Sequence, residues 1–419
     1  MRRRHGRPGS RAPFNVEIEK LTYGGEGLGR VGGMVVFVPF TVPGDLVEAR
    51  PIERKKNYIR AVVTRILQPG PGRRDPPCPH FGRCGGCQWQ HIEYELQVET
   101  KRRILEELFH HRLPATGRIP ISMEASPLEY GYRSRARVQL RGAGPDAQVG
   151  FYRHHSRAVE DIASCPLFRP ALNQALDHVR HAHREGEFGS EDRELDLACA
   201  EDGTWRFADA GDAMPEPGPD SGEVLYRRIG EFEYAVAPSA FFQANDSMLS
   251  SLIARVRDLA GSGLSALDLY SGVGFFSLPL ARSFQNVVAV EGNLLAHRCC
   301  VLTRARARQE NIRAVCADVR DWMGAAASMA PPAFDLILLD PPRSGAGAEV
   351  MRRLVEWTPE TILYVSCDPQ TLIRDLAMIP ATSYEIDIIA GLDLFPQTSH
   401  IETVVRLTRS GGRPVIVRR

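Results

Sequence analysis

One cysteine of this 419-residue chain stands where a side chain could do chemistry. Cys367 ends the apolar run "LYVSCDPQT", at the point where a covered parallel strand would meet ligands. Asp368-Pro369 and the helical pattern "QTLIRDLAMI" follow, which predicts a thiol at a helix N-terminus, where the dipole favours the thiolate. Downstream, "LFPQTSHIETVV" offers His400 and Glu402 in a passage from loop to strand. A nucleophile and a proton acceptor on neighbouring strand ends allow a covalent mechanism.

A pyrimidine ring is a substrate on which Cys367 and Glu402 could act. C5 of uracil is a poor nucleophile, but addition of the Cys367 thiolate to C6 develops an enolate whose C5 can attack a methyl donor. Glu402 could then remove the C5 proton, and general-base help of this kind is worth roughly 10²–10⁴-fold. Cytosine could react in the same way, so the chemistry alone does not select the base.

Four further cysteines predict a metal site. "CPHFGRCGGCQWQ" places Cys78, Cys84 and Cys87 in a C-x5-C-x2-C array, and Cys165 in "IASCPLF" is a candidate fourth ligand. Four thiolates suit a [4Fe-4S] cluster or structural zinc, and the spacing leaves the choice between them open. Disulfides are disfavoured because the N-terminus lacks the apolar region of a secretory signal.

A cofactor site is predicted from position 267 onward. In "LDLYSGVGFFSLPLA", Gly272 and Gly274 follow the first strand and let the backbone approach a ligand closely. The second strand ends in Glu291, placed for ribose hydroxyls, and the third leads to Asp318, near an adenine edge. The sequence G-V-G-F-F-S lacks the third glycine of a dinucleotide loop. This favours S-adenosylmethionine (SAM), which has no pyrophosphate, over NAD.

A second rim position lies in "FDLILLDPPRSGA". Two prolines cannot continue a central ladder, so the chain must leave the sheet there with Asp340 at its edge. Next to a SAM site, a turn of this type is where methyltransferases handle a planar nitrogenous base. A simple end of the strand is the alternative explanation.

Three structural regions are predicted to position these candidate residues. Residues 13–66 alternate in short strand-like runs with glycine turns, which predicts a small antiparallel barrel. Between 75 and 240 we expect a helix over 91–112, paired strands and a loop over 208–222. From about 262, strands and helices alternate, which predicts a doubly wound parallel sheet. The predicted division is a basic tail over 1–12, a barrel over 13–72, a central domain over 73–240 and a catalytic domain over 241–419.

Composition narrows the class of protein. A hydrophobic share of 43% and a charged share of 25% are typical of a soluble globular protein, and no apolar run reaches the length of a membrane span. Residues 1–74 hold fifteen Arg and Lys against six Asp and Glu, and only four lysines occur in the chain. Arginine can fork onto phosphate and stack on bases, which favours an RNA partner. We expect a cytoplasmic enzyme that does not associate with a membrane and does not require a protein partner.

Taken together, these motifs resemble the RNA uracil-5-methyltransferases that make 5-methyluridine in 23S rRNA or tRNA. The motifs that carry the resemblance are "CGGCQWQ", "FFQAND", "DLYSGVGFFSLPLA", "LDPPRSGA", "YVSCDPQTLIRD" and "LFPQTSHIETVV". The resemblance implies a class I SAM-dependent methyltransferase fold, α/β and Rossmann-like, with an N-terminal TRAM/OB-like barrel and a central α+β domain that carries an iron–sulfur cluster. It implies a nucleophile, Cys367, and a proton acceptor, Glu402. It implies SAM contacts at Gln243, Tyr270, Phe275, Glu291, Asp318 and Asp340, and [4Fe-4S] ligands at Cys78, Cys84, Cys87 and Cys165.

The chain departs from the family pattern at two positions of interest. Asp368 replaces a common asparagine after the nucleophile, and a second negative charge there would raise the thiol pKa and slow attack. Phe275 occupies a position that is often asparagine, so it could contact SAM only through its ring or backbone. The barrel and the cysteines together favour 23S rRNA as the substrate. Methylation of tRNA uridine or cytidine, or a non-enzymatic RNA-binding assembly role, are the alternatives.

Overall fold

The structure is a computed structural model that describes residues 12–210, 224–328 and 333–411. All but the last residue of the predicted basic tail, and most of the predicted loop over 208–222, lie outside the described residues. The described chain forms a barrel, a central antiparallel sheet and a larger sheet flanked by helices.

The N-terminal barrel that the sequence predicts is present and is closed by five strands. They are β1 (Phe14–Leu21), β2 (Gly27–Val31), β3 (Met34–Val38), β4 (Leu46–Arg54) and β5 (Tyr58–Gln68), in the order β1-β2-β3-β5-β4. The β3–β5 pair is parallel, which corrects the expectation of an antiparallel barrel. Small aliphatic side chains fill it, because every second residue points inward. Gly29 allows a close strand approach, since a Cβ there would lie 2.2 Å from the Glu17 carbonyl oxygen. The stretch "GGEGLGR" is thus a turn and a strand of the barrel.

A long helix and a short strand follow the cysteine-rich segment. They are α1 (Tyr94–Arg112) and β6 (Ile121–Glu124). The predicted helix over 91–112 is confirmed, with its start three residues later. Its buried face carries Ile104, Leu105 and Phe109 and also the polar Lys101, which apolar periodicity does not predict.

The central sheet is antiparallel throughout. It contains β7 (Arg135–Arg141), β8 (Gln148–Tyr152), β9 (Val159–Asp161), β10 (Arg193–Cys199) and β11 (Trp205–Asp209), in the order β11-β10-β7-β8-β9. Helix α2 (Pro170–Arg184) packs its apolar face on this sheet. The pairing of β7 with β8 confirms the paired strands predicted for this region.

The C-terminal sheet has eight strands with helices on its faces. After the hairpin β12 (Leu225–Ile229) and β13 (Phe232–Val236), the elements are α3 (Asp246–Ala260), β14 (Gly263–Leu269), α4 (Ser277–Leu280), β15 (Phe284–Glu291), α5 (Leu294–Arg306), β16 (Ile312–Cys316), α6 (Val319–Ser328), β17 (Leu336–Leu339), α7 (Ala348–Trp357), β18 (Thr361–Ser366), α8 (Pro369–Leu376), β19 (Tyr384–Leu392) and β20 (Glu402–Arg409). The strand order is β16-β15-β14-β17-β18-β20-β19-β6. This order reverses beside β14, and such a switch point is where ligands bind in open α/β sheets.

The sheet is mixed, which corrects the expectation of a wholly parallel one. Strands β14 to β18 run parallel, but β20 is antiparallel to both β18 and β19. Strand β6 adds a parallel edge beside β19. The insertion of β20 between β18 and β19 is what brings the C-terminal loop to the catalytic edge.

Regions predicted as separate share their cores. Strand β6 and the β12–β13 hairpin fall within the predicted central domain of 73–240, yet β6 belongs to the C-terminal sheet and β13 packs on α5. One apolar cluster runs from Leu21 of the barrel through Trp89 to Ile337 of β17. The barrel is therefore packed directly against the sheet. Of the helices that the structure describes, none combines the length and apolar character that crossing a membrane requires.

Candidate active site

Cys367 and Glu402 lie close together at the end of an antiparallel strand pair. The β18–β20 ladder ends at Ser366 paired with Thr403, and Cys367 and Glu402 are the next residues beyond this last pair. The Glu402 carboxyl group is near enough to raise the pKa of the Cys367 thiol. The two residues that the sequence predicts as catalytic are therefore neighbours because of sheet register.

The Cys367 thiol is half-buried and protonated in this environment. Its pKa is raised to about 12, first by burial and then by the carboxyl groups of Glu402 and Asp340, while Arg343 opposes them. The expectation that the helix N-terminus favours the thiolate is therefore wrong for the ligand-free site. A nucleophilic role requires that ligand binding lower this pKa.

The helix N-terminus is occupied by the residue after the thiol. Helix α8 begins at Pro369, and the Asp368 carboxylate accepts hydrogen bonds from the amides of Gln370 and Thr371. These amides would otherwise be the donors that stabilise an anion at this end of the helix. Asp368 thus uses its charge locally, as a helix cap.

Asp268 and Glu402 are buried and Asp340 is half-buried, and these three carboxyl groups form a chain that reaches the thiol through Asp340 and Glu402. Burial raises the pKa of Asp268 to about 7 and that of Asp340 to about 8, and it also raises the pKa of Glu402. Asp268 adds to the shift at Asp340, and Asp340 adds to the shift at Glu402. Among the described residues, neither carboxyl oxygen of Glu402 has a hydrogen-bond partner. Buried acids without partners are unfavourable until a donor or a cation meets them.

The glycine loop has the geometry that its sequence predicts. Gly272 and Gly274 have φ angles of +54° and +85°, which favour glycine. The Glu291 carboxylate accepts hydrogen bonds from the amides of Gly272, at 2.8 Å, and Asn293, at 2.6 Å. Glu291 therefore ties the loop after β14 to the end of β15.

The remaining predicted cofactor contacts differ in their surroundings. Tyr270 follows β14 with a φ of +62°, and its pKa is raised to about 12 by burial and then by Asp318. Asp318 is exposed and accepts the amides that open α6. Gln243 is buried before α3. The Phe275 ring packs against other aromatic rings in the core and its carbonyl accepts the Tyr234 hydroxyl, so its side chain faces the protein interior.

The four predicted metal ligands line one cavity. Cys78, Cys84, Cys87 and Cys165 lie around a space of about 450 Å³ between the cysteine-rich segment and the central sheet. Burial raises the pKa of Cys87 to about 12 and that of Cys165 to about 11. In the described part of the chain, no three Cys, His, Asp or Glu side chains are gathered closely enough to hold a metal ion. The structure thus brings the four thiols to one cavity without closing them into a centre.

The comparisons with known proteins agree with this geometry. Residues 223–410 match the family of tRNA (uracil-5-)-methyltransferases, and residues 14–71 match the TRAM domain of tRNA (uracil(54)-C(5))-methyltransferase. The 23S rRNA (uracil(1939)-C(5))-methyltransferase RlmD of Halomonas elongata is 33% identical, covering 95% of this chain and 90% of its own length. An uncharacterized RNA methyltransferase of Aquifex aeolicus is 30% identical over 94% of this chain and 98% of its own. The chain belongs to the RNA uracil-5-methyltransferase family.

A solved structure extends the agreement to the whole fold. The crystal structure of a Pyrococcus abyssi tRNA (uracil-54, C5)-methyltransferase in complex with S-adenosyl-L-homocysteine matches with a TM-score of 0.72 at 25% identity, covering 94% of this chain and 100% of that chain. The predicted fold class, a methyltransferase sheet with an N-terminal TRAM-like barrel, is confirmed. The protein is a SAM-dependent RNA uracil-5-methyltransferase.

The buried acids of the methyltransferase fit its cofactor. SAM carries a positive sulfonium, and a cation favours the ionised forms of carboxyl groups that burial keeps neutral. Asp340 and Glu402 lack such a charge in the ligand-free site. The two acids are thus suited to a cationic ligand near the carboxyl end of β17 and the start of β20.

Sequence reasoning missed two side chains at the methyltransferase site. Arg343 opposes the raised pKa of the Cys367 thiol, and its guanidinium lies 3.2 Å from the Nε2 of His400. Burial, followed by Arg343, lowers the pKa of His400 to about 4, so the ring is neutral. Tyr23 of the barrel turn interacts with Cys367 and Arg343. The "DPPR" motif could have indicated Arg343, but no sequence signal could have placed Tyr23 there.

Gln397 links the catalytic loop to the cysteine-rich segment. Its carbonyl accepts the amides of Gln88, at 3.1 Å, and Trp89, at 3.0 Å. Its own amide donates to the Gln97 side chain at 2.9 Å, and it is fully buried with a φ of +70°. The loop that leads into Glu402 is thus fixed by residues that follow Cys87.

Proposed function

We propose that this enzyme transfers a methyl group from SAM to C5 of a uridine in 23S rRNA through a covalent adduct between Cys367 and C6. The mechanism is supported by the position of Cys367 and Glu402 just beyond the last β18–β20 pair, where the Glu402 carboxyl group raises the pKa of the thiol and its buried oxygens have no partner among the described residues. One group can attack the ring while the other takes a proton from the adjacent carbon.

The residues act in sequence on the two ring carbons. The Cys367 thiol gives its proton to solvent water and its sulfur bonds to C6, and the C5–C6 double bond shifts to give an enolate with a nucleophilic C5. SAM supplies the methyl group to C5 and leaves as S-adenosylhomocysteine. Glu402 accepts the C5 proton, the double bond re-forms, and the sulfur leaves as the Cys367 thiolate. Because the pKa of Glu402 is raised, the ionised carboxylate is a stronger base than an exposed one.

The cofactor is assigned to the edge formed by β14 to β17. Glu291 would accept the ribose hydroxyls, Asp318 would meet the adenine edge, and Tyr270 and Gln243 would contact the remainder. Asp340 would lie beside the reacting groups, since it is coupled electrostatically to both Glu402 and Cys367. Phe275 contributes only by packing beneath the glycine loop, because its ring is buried.

The choice of 23S rRNA is supported by the named relatives. RlmD proteins from Halomonas elongata, Photorhabdus laumondii and Erwinia tasmaniensis are 31–33% identical over at least 94% of this chain. Their names specify uracil 1939 of 23S rRNA as the target. Methylation of a bacterial ribosomal RNA would take place in the cytoplasm.

A tRNA uridine is the second candidate, and a specific observation favours it. The Pyrococcus abyssi structure, whose match covers almost the whole chain, is named as a tRNA uracil-54 methyltransferase. An assay with purified enzyme and labelled SAM distinguishes the two candidate substrates. The RNA in it is 23S rRNA or tRNA isolated from a strain that lacks the enzyme. Label in 5-methyluridine of 23S rRNA supports the proposal, and label in tRNA alone contradicts it. Label in 5-methylcytidine would exclude uridine as the substrate.

We also propose that Cys78, Cys84, Cys87 and Cys165 hold a [4Fe-4S] cluster that fixes the cysteine-rich segment in place. The proposal is supported by the four thiols, which line one cavity. The Asn173 side chain accepts a hydrogen bond from the Cys165 backbone amide at 2.9 Å and donates one to the Cys165 carbonyl at 3.1 Å. When bound, the cluster would supply structural cross-linking.

A further inference from the structure

One buried carboxylate of the central sheet binds two arginines. Glu160 of β9 is buried, and one of its oxygens accepts a hydrogen bond from the Arg83 Nε at 2.9 Å. Its other oxygen accepts from the Arg153 Nε at 3.0 Å. The Nδ1 of His80 lies 3.0 Å from the first of these oxygens. Among the described residues neither arginine pairs with a second acid, so one negative charge faces two positive ones.

Each guanidinium is held through its Nε, which leaves its two terminal nitrogens for other partners. The terminal nitrogens of Arg153 donate no hydrogen bond to the described part of the chain. Those of Arg83 make one long hydrogen bond, at 3.4 Å, to the Pro79 carbonyl. The two side chains are 49% and 60% exposed, respectively, although the carboxylate beneath them is buried. Guanidinium N–H groups that are open to solvent in this way suit the oxygens of a phosphate.

The two arginines come from different segments that backbone hydrogen bonds join. The His154 amide donates to the Arg83 carbonyl at 2.9 Å, and the Gly85 amide donates to the Tyr152 carbonyl at 2.9 Å. A Cβ at Gly85 would lie 3.0 Å from that Tyr152 oxygen, so a side chain there has little room. The guanidinium groups are therefore positioned before a ligand arrives, which lowers the entropy cost of binding.

The surface beside the two arginines suits a nucleotide. His155 and Arg157 are exposed at the tip of the β8–β9 hairpin. The ring centres of His154 and His155 lie 4.0 Å apart, and the His154 ring packs on Phe40 of the barrel at 5.3 Å. Bases stack on rings of this kind while arginines bind the adjoining phosphates. A nucleic-acid strand therefore fits this surface better than a free anion or an acidic peptide.

We propose that Arg83 and Arg153, oriented by Glu160, bind a backbone phosphate of the RNA substrate. Glu160 is a positioning residue here, because it touches the arginines and not the RNA. These residues belong to elements that carry neither Cys367 nor Glu402, so the contact lies outside the catalytic edge. Arg153 lines the same cavity as the four cysteines, which gives the cysteine-rich segment a part in RNA binding. This inference rests on the proposed RNA substrate and deepens it.

The test measures RNA binding as a function of salt concentration. Each phosphate contact contributes roughly −0.7 to −0.9 to the slope of log affinity against log salt. With 23S rRNA isolated from a strain that lacks the enzyme, Arg153→Gln should make this slope shallower by roughly that amount. It should also weaken binding about tenfold at a fixed salt concentration. Arg352→Gln, which removes the same charge from an exposed ion pair of α7, should leave both unchanged. An unchanged slope in Arg153→Gln would overturn the proposal.

Glu160→Gln distinguishes an oriented pair of arginines from positive charge alone. The change makes the protein more positive, so simple attraction to RNA predicts tighter binding. Loss of the anchor frees a guanidinium that RNA must then order, for which we expect binding roughly two- to tenfold weaker. Tighter or equal binding would contradict the positioning role of Glu160.

A second variant and a fold control accompany these measurements. Arg153→Lys keeps the charge but loses the fork, so it should retain the wild-type slope and still bind RNA more weakly than the wild type. SAM affinity should be unchanged in every variant, which checks that each is folded. Because binding is measured without methyl transfer, the result is separable from failure of the proposed mechanism. The same series with tRNA gives the same comparison if tRNA is the substrate.

Discussion

Lys101 of α1 forms a fully buried ion pair with Asp393, at 2.7 Å, although 292 positions separate the two residues in the sequence. The ammonium also donates to the Phe395 carbonyl at 3.0 Å and lies 5.6 Å from the centre of the Trp89 ring. The pair therefore fixes the start of the loop that ends at Glu402. A buried charge of this kind depends on its partner, because neither can be solvated alone.

Replacement of Lys101 should destabilise the protein strongly. Lys101→Met leaves Asp393 buried and unpaired, for which we expect a loss of about 3–5 kcal/mol in the free energy of unfolding. Urea denaturation measures this loss. The double variant Lys101→Met/Asp393→Asn should recover part of it, since no uncompensated charge remains. Equal stability of the wild type and the single variant would show that the pair does not hold the loop.

Removal of the proposed base should stall the reaction after methyl transfer. With Glu402→Gln, the C5 proton has no acceptor, so the methylated adduct with Cys367 should accumulate on natural RNA and turnover should fall by roughly 10²–10⁴-fold. Denaturing gels detect the protein–RNA adduct. Glu385→Gln, on the exposed side of β19, is the matched control and should turn over normally. Normal turnover by Glu402→Gln would assign the base elsewhere.

The buried acids predict a pH dependence for the ligand-free protein. Their folded-state pKa values are raised, to about 8 for Asp340, so their contribution to stability is fully present below the unfolded pKa and is lost as the pH rises through the folded value. The free energy of unfolding should therefore fall from pH 5 to pH 8, and Asp340→Asn should make this decrease smaller. SAM affinity should rise over the same interval, because a cation favours the ionised acids.

The exposed Asp258 on α3 provides the control for this pH series. Asp258→Asn should retain the wild-type decrease in unfolding free energy between pH 5 and pH 8. A wild-type protein that is equally stable at both values would show that the buried carboxyl groups are not neutral in the folded state.

The cysteine cavity predicts iron and sulfide together. Anaerobically purified protein should contain both in the ratio of a [4Fe-4S] cluster, and Cys165→Ser should lose them while Cys316→Ser, on an exposed strand end, retains them. Loss of the cluster should increase hydrogen exchange over 75–170 while SAM binding survives. Zinc without sulfide, or loss of SAM binding with an otherwise intact fold, would contradict the assignment.

The sequence predicts those features of the fold and the site that depend on local residue patterns. The strands from β14 to β18 are continuous apolar runs, and their shared carboxyl edge places Tyr270, Glu291 and Asp340 together. Long-range pairing is not encoded in this way. The four residues of β6 have no distinctive pattern, and the antiparallel insertion of β20 follows from packing of the completed sheet. The pKa of Cys367 depends on burial as well, since burial and the carboxyl groups of Glu402 and Asp340 raise it, whereas the position at a helix N-terminus alone predicts a lower value.

The covalent adduct tests the central claim most directly. RNA that contains 5-fluorouridine has no C5 proton to lose, so the methylated adduct cannot break down and should remain attached to the protein. We predict that wild-type enzyme with SAM forms an adduct that survives denaturation, with the modified peptide containing Cys367, and that Cys367→Ala forms none. An adduct in both proteins, or in neither, would contradict the assignment of Cys367 as the nucleophile.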